Sequence, residues 1–137
     1  MTKVFVDTNV IIDLLADRVP HSKYAIALFE HAEEEKVRLY TTSLAFATTY
    51  YLLKKYVDDK KLRKIMYDLL AYFEIIAVDE HIIRRSLKSK IKDFEDALQI
   101  KAALSIDKMD YIVTRNLKDF KQAEIPVMSP DQILEKL

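Results

Sequence analysis

The residues best placed for chemistry in this chain carry oxygen ligands. Cysteine is absent, and the three histidines, His21, His31 and His81, lack ligand spacing. A thiolate nucleophile, a disulfide framework and a Cys-based zinc site are therefore excluded. Glycine is absent as well, which removes the glycine-rich phosphate loops of the Rossmann and P-loop types. What remains is a set of aspartates with oxygen-bearing neighbours. Asp7 ends the apolar stretch that opens "KVFVDTNVII". Asp93 and Asp96, in "KDFEDALQIKAAL", stand three apart and share one helix face. That face continues through Ala97, Ile100, Ala103 and Leu104, so both acids head a stripe that packs inward. In "YIVTRNLKDF", Thr114, Asn116 and Asp119 offer further oxygens at the end of a strand.

Each group has an ordinary structural explanation. Asp7 can cap the helix after it. Asp93 can be an N-cap, with Asp96 in the first turn where the helix dipole favours acids. Glu95 could serve that dipole from a more exposed position, so Asp96 on the inward stripe asks for another reason. Thr114, Asn116 and Asp119 fit common turn chemistry. Gathered at one edge, however, the carboxylates repel: two unit charges about 4 Å apart cost roughly 4 kcal/mol at an effective dielectric near 20. A hard divalent cation offsets this, and oxygen ligands suit Mg²⁺ or Mn²⁺.

The elements that must position these residues alternate. Strands are expected over Lys3–Val6, Val37–Thr41, Phe73–Val78, Tyr111–Thr114 and Pro126–Met128. Helices are expected over residues 8–15, from Pro20 through the Glu33-Glu34-Glu35 run, over 43–56 and 60–72, after Asp79, from Asp93 to Ser105, and from the Ser129-Pro130-Asp131-Gln132 capping box to Leu137. Alternation of this kind calls for a three-layer α/β/α fold around a mostly parallel sheet of about five strands. Ligands of such sheets bind beyond the carboxyl ends of the strands, where Asp7 and Thr114 should sit.

The 137 residues suit one domain, with no linker, repeat or low-complexity segment. Twenty-two basic and 22 acidic residues cancel, which disfavours a globally basic nucleic-acid binder and leaves local patches open. The N-terminus lacks a signal-peptide layout and no apolar run reaches membrane-span length, so a cytoplasmic protein with no membrane partner is expected.

Taken in order, "VFVDTNVIIDLL", "KDFEDALQIKAA" and "YIVTRNLKDF" resemble the PIN domain family, the fold of many prokaryotic ribonuclease toxins, across essentially the whole chain. The resemblance implies hydrolysis of RNA phosphodiesters by metal-activated water, an antitoxin protein as partner and a homodimer. It assigns Asp7 and Asp96 to the metal, Asp93 to their support and Asn116 to the position of the family's fourth acid. The family's second acid, a glutamate, falls on Thr48. With Thr48 and Asn116 in those places a weaker site is expected: one ion held with substrate, Asp93 or Asp119 compensating, and Asp13 outside direct ligation.

RNA also needs cations. Lys and Arg residues in "RRSLKSKIK" (84–92) form one basic group, and Lys54, Lys55, Lys60, Lys61, Arg63 and Lys64 a second; either taken alone reads first as a solvated helix face. Arg115 is the nearest candidate phosphate contact, with Thr114 and Asn9 beside it as substrate contacts. Tyr50, Tyr51 and Tyr56 offer stacking surfaces, although helical spacing favours core or dimer roles for the first two. Two other readings compete. The fold can serve as an RNA-binding or protein-interaction module without catalysis. A haloacid-dehalogenase-type phosphotransferase would need a second aspartate two residues after Asp7, where Asn9 stands.

Overall fold

The computed structural model describes residues 1–137. Five parallel strands form one sheet: β1 (Thr2–Val6), β2 (Val37–Thr42), β3 (Phe73–Ile76), β4 (Tyr111–Val113) and β5 (Val127–Met128), in the order β3-β2-β1-β4-β5. Val4 of β1 pairs with Leu39 on one side and Tyr111 on the other, so β1 is buried in the middle. Its side chains alternate between two cores, as the two-residue period of a strand requires. Val4 and Val6 join the core beneath α1 (Thr8–Leu15), α2 (Ser22–Glu33), α3 (Ser43–Leu53), α4 (Asp59–Leu69) and α7 (Pro130–Leu134). Phe5 joins the core beneath α5 (Glu80–Lys88) and α6 (Phe94–Leu104). Three layers result, as the alternating pattern predicts. No helix is long and apolar enough to cross a membrane.

The element ends depart from expectation for local reasons. Pro20 does not open α2; it lies in the turn before, and the helix starts at Ser22. α3 stops at Leu53 rather than Tyr56, because Asp58 caps α4 by accepting from the Lys61 amide at 3.3 Å. The last turn of the 60–72 segment tightens into a 3₁₀ turn, Leu70–Tyr72. β3 ends at Ile76, and the Val78 amide donates to Ser43 Oγ at 3.1 Å instead of to a strand. Asp79 and Asp93 cap α5 and α6 as read, accepting from the Ile82 and Asp96 amides at 2.9 Å each. The closing helix is shorter than expected, yet Gln132 accepts from the Ser129 amide at 3.0 Å, its half of the capping box. Without glycine, the four left-handed positions fall to Asp17, Glu35, Lys108 and Glu124.

The topology fixes where a ligand can enter. From β1 the chain leaves towards β2; from β4 it leaves towards β5. The crevice between these divergent exits is the switch point of the sheet, and Asp7 and Thr114 are the first residues beyond it.

Candidate active site

Asp7 closes β1 and caps α1 through its backbone alone, its carbonyl accepting from the Val10 amide at 3.0 Å while its side chain makes no cap bond. The carboxyl is thus released from the structural duty that would explain it away. It is 4% exposed and is held by Thr114, whose hydroxyl donates to Asp7 Oδ2 at 2.7 Å. Burial pushes the Asp7 carboxyl above the usual range, against hydrogen bonds from the Thr114 and Gln99 side chains and the Thr8 backbone and the charge of Arg115, which pull it down. Burial thus favours the neutral acid, and a cation placed beside Asp7 would favour the charged one.

Facing it is a rim of four further acids. Asp93 and Asp96 stand at the start of α6, and Asp119 lies on the exposed 3₁₀ turn Leu117–Phe120. Asp96 is pushed up to about 7, first by partial burial, then by the charges of Asp93, Asp7, Asp119 and Glu95. Glu95 itself is raised by burial, Asp7 and Asp93. The expectation that Glu95 sits on a more exposed face is therefore corrected: it is half-buried and looks on to the same acids. None of these five carboxylates takes part in an ion pair.

Several expected residues take internal roles. Thr114 is fully buried and cannot touch a substrate; its oxygen also accepts from the Asn116 amide at 3.0 Å and from Asn9 Nδ2 at 3.4 Å. Asn9 is half-buried, with its amide turned to Thr114. Arg115 is the clearest correction. Its guanidinium forks on to Asp13, with Nε at 2.6 Å and a terminal nitrogen at 3.1 Å, so it does not reach for phosphate. Asp13, 1% exposed and with Arg18 also 3.8 Å away, lies outside the acid group. Asn116 is exposed, and its side chain makes no cap bond. α3 carries no acid, and Thr48 on it is half-buried. Tyr50 packs against the core, whereas Tyr51 and Tyr56 are exposed.

Gln99 is the site residue that sequence reasoning missed. It lies one turn after Asp96, is 2% exposed, and accepts from the Thr8 amide at 3.3 Å. A buried glutamine must find partners, and its place on the inward stripe of α6 was the available signal. Thr8 Oγ1, next to Asp7, is buried without a hydrogen-bond partner.

The donor set fits a hard divalent cation: every candidate ligand is a carboxylate oxygen, and none of them is held in an ion pair. No three of these acids converge closely enough to enclose an ion by themselves.

Fold and site together define an α/β protein with an acid-lined crevice at the switch point of a parallel sheet. A family model for the PIN domain matches residues 3–118, and the chain belongs to that family. It is 29% identical over 139 residues to Ribonuclease VapC1 of Aquifex aeolicus (strain VF5), spanning 98% of this chain and 94% of that protein. Among solved structures it is similar to a toxin–antitoxin complex from Klebsiella pneumoniae, at 25% identity and a TM-score of 0.67, covering 93% of this chain and 97% of that one. It shares its fold with VapBC-1 from nontypeable Haemophilus influenzae, at 17% identity and a TM-score of 0.69, covering 95% and 99%.

Proposed function

We propose that this chain is a metal-dependent endoribonuclease and the toxin member of a toxin–antitoxin pair. The observation that carries the reading is the buried Asp7 carboxyl at the switch point, facing an unpaired acid rim at the start of α6. Full-length likeness to a ribonuclease supports the reaction class, and likeness to a toxin–antitoxin complex supports the biological setting.

In this reading Asp7 and Asp96 would hold Mg²⁺ or Mn²⁺, with Asp93, Asp119 and Glu95 adding negative charge nearby. Such an ion lowers the pKa of bound water and stabilises charge on a phosphoryl oxygen. The protein's own residues do the positioning. Thr114 fixes the orientation of the Asp7 carboxyl, Gln99 pins the start of α1, and the Asp13–Arg115 pair ties α1 to the loop after β4. Asn116 presents a neutral exposed amide at the same loop, suited to orient water. An antitoxin covers the acid crevice, and Tyr51 and Tyr56 at the α3–α4 corner offer contact surface for a second copy.

The test is incubation of purified protein with end-labelled RNA in Mn²⁺, beside an EDTA control and the Asp7→Asn variant. Discrete cuts that need both metal and Asp7 are expected. A folded protein that binds RNA and never cuts it, indifferent to Asp7→Asn, would establish the non-catalytic binding module instead, consistent with the acid-free α3.

A further inference from the structure

A groove of about 540 Å³ runs between the loop that precedes α6 and the 3₁₀ turn that follows β4. Lys90 and Lys92 line one wall, Lys118 and Lys121 the other, and Asp93 and Asp119 stand in the same lining. All four lysines are exposed, and none has a carboxylate within ion-pairing distance. Against these four ammonium groups the lining sets only Asp93 and Asp119, so the groove keeps an excess of positive charge that favours anions. The second basic group differs in part: on α4, Arg63 pairs with Asp59 at 2.8 Å and Lys64 with Asp68 at 3.1 Å, so two of its six charges are answered within the helix.

Resting on the ribonuclease reading, we infer that this lysine groove is the phosphate-backbone subsite that delivers the RNA strand to the acid rim. Two observations favour RNA over an acidic protein segment. Asp93 and Asp119 belong to both the groove and the rim, so a strand lying on the lysines passes its phosphates directly to the metal-binding acids. Ile91 is the sole hydrophobic residue of the lining, so the groove has nothing to grip the apolar side chains of a peptide. It also has no aromatic surface for bases to stack on. It therefore reads phosphates and not sequence, and its work is to set register. Lys118 and Lys121 stand about 30 residues downstream of Lys90 and Lys92 in the chain, and the fold alone brings them together.

The experiment is fluorescence anisotropy of labelled oligo-U and oligo-A in EDTA, titrated with KCl, so that binding is read without cleavage. Wild-type protein is compared with Lys90→Gln/Lys92→Gln, Lys118→Gln/Lys121→Gln and, as a control on α4, Lys60→Gln/Lys61→Gln. Each groove variant should weaken binding to both oligomers alike and flatten the dependence of log K on log[KCl] by roughly 1.4, the value for two lost phosphate contacts on a single strand. The α4 variant should match wild type. Equal losses in all three variants would reduce the groove to general surface charge and overturn the inference. So would unchanged RNA slopes in the groove variants, and weakened binding of a poly-glutamate peptide in the same variants would then identify a protein ligand. The nuclease reading is judged separately: slopes that change as expected, in a protein that never cuts RNA in Mn²⁺, keep the groove and remove the catalysis.

Discussion

The two halves of the acid crevice are built in opposite ways. The Asp7 half is buried and cross-braced. Thr114 bonds Asp7, Asn9 and the Asn116 amide all meet the same hydroxyl, and Arg115 locks on to Asp13 one helix turn further in. The α6 half is half-exposed, and its acids crowd one another without an ion pair, although lysines line the adjoining groove. One half is finished as folded; the other holds charge that needs a counter-ion. Rigidity and uncompensated charge are thus divided between two segments; under the metal-dependent reading, the fixed carboxylate would set the place of a cation and the crowded ones its affinity.

The sharpest way to break this contrast is to remove a brace. Asp13→Ala leaves Arg115 without its partner in a buried setting and should destabilise the fold by about 3 kcal/mol, the low end for such a loss because Arg115 is partly exposed. Urea unfolding measures it; a change below about 1 kcal/mol would mean that the pair is no clamp. Next comes Thr114→Val, which keeps the shape and deletes the hydroxyl. Metal-dependent cleavage should fall about 10–100-fold, as for loss of a group that orients a metal ligand. An unchanged rate, with folding intact, would show that Asp7 holds its position unaided.

The smallest effect belongs to the rim. In metal-free protein Asp96 is pushed up to about 7, well above its ordinary value of 3.8. A raised native-state pKa means that the folded chain binds more protons than the unfolded one across that interval. Stability is then highest at the acid end and declines as pH rises through about 7. Because Asp96 is only partly buried, solvent keeps the decline modest. Urea midpoints in EDTA at about pH 5 and about pH 8 should differ in that direction, and less so in Asp96→Asn or with Mn²⁺ present. A midpoint that instead climbs with pH in wild type alone would contradict the crowding assigned to the rim.

The same contrast explains what could be read in the sequence. The sheet was legible because strand and helix periods alternate and the capping acids Asp79 and Asp93 mark where helices begin. Asp7 and Asp96 were legible because each is a charge where burial is expected. The braces were not. Arg115 beside a polar turn looks like a free cation, and only the packing of α1 against the β4 loop reveals that Asp13 already occupies it. Gln99 was missed because its one signal, an uncharged polar residue on an inward stripe, names no partner until its neighbours are known. The lysine groove was half visible: Lys90 and Lys92 lie in an evident basic run, whereas Lys118 and Lys121 join them only through the fold.

The central position of β1 has a consequence in time. Asp7 is made well before the hydroxyl that holds it, which belongs to a residue 107 positions later. β1 lacks one neighbour until β4 has emerged and paired. A growing chain therefore carries carboxylates without a crevice. Under the ribonuclease reading, the cutting geometry arises only after β4 has been made and paired with β1.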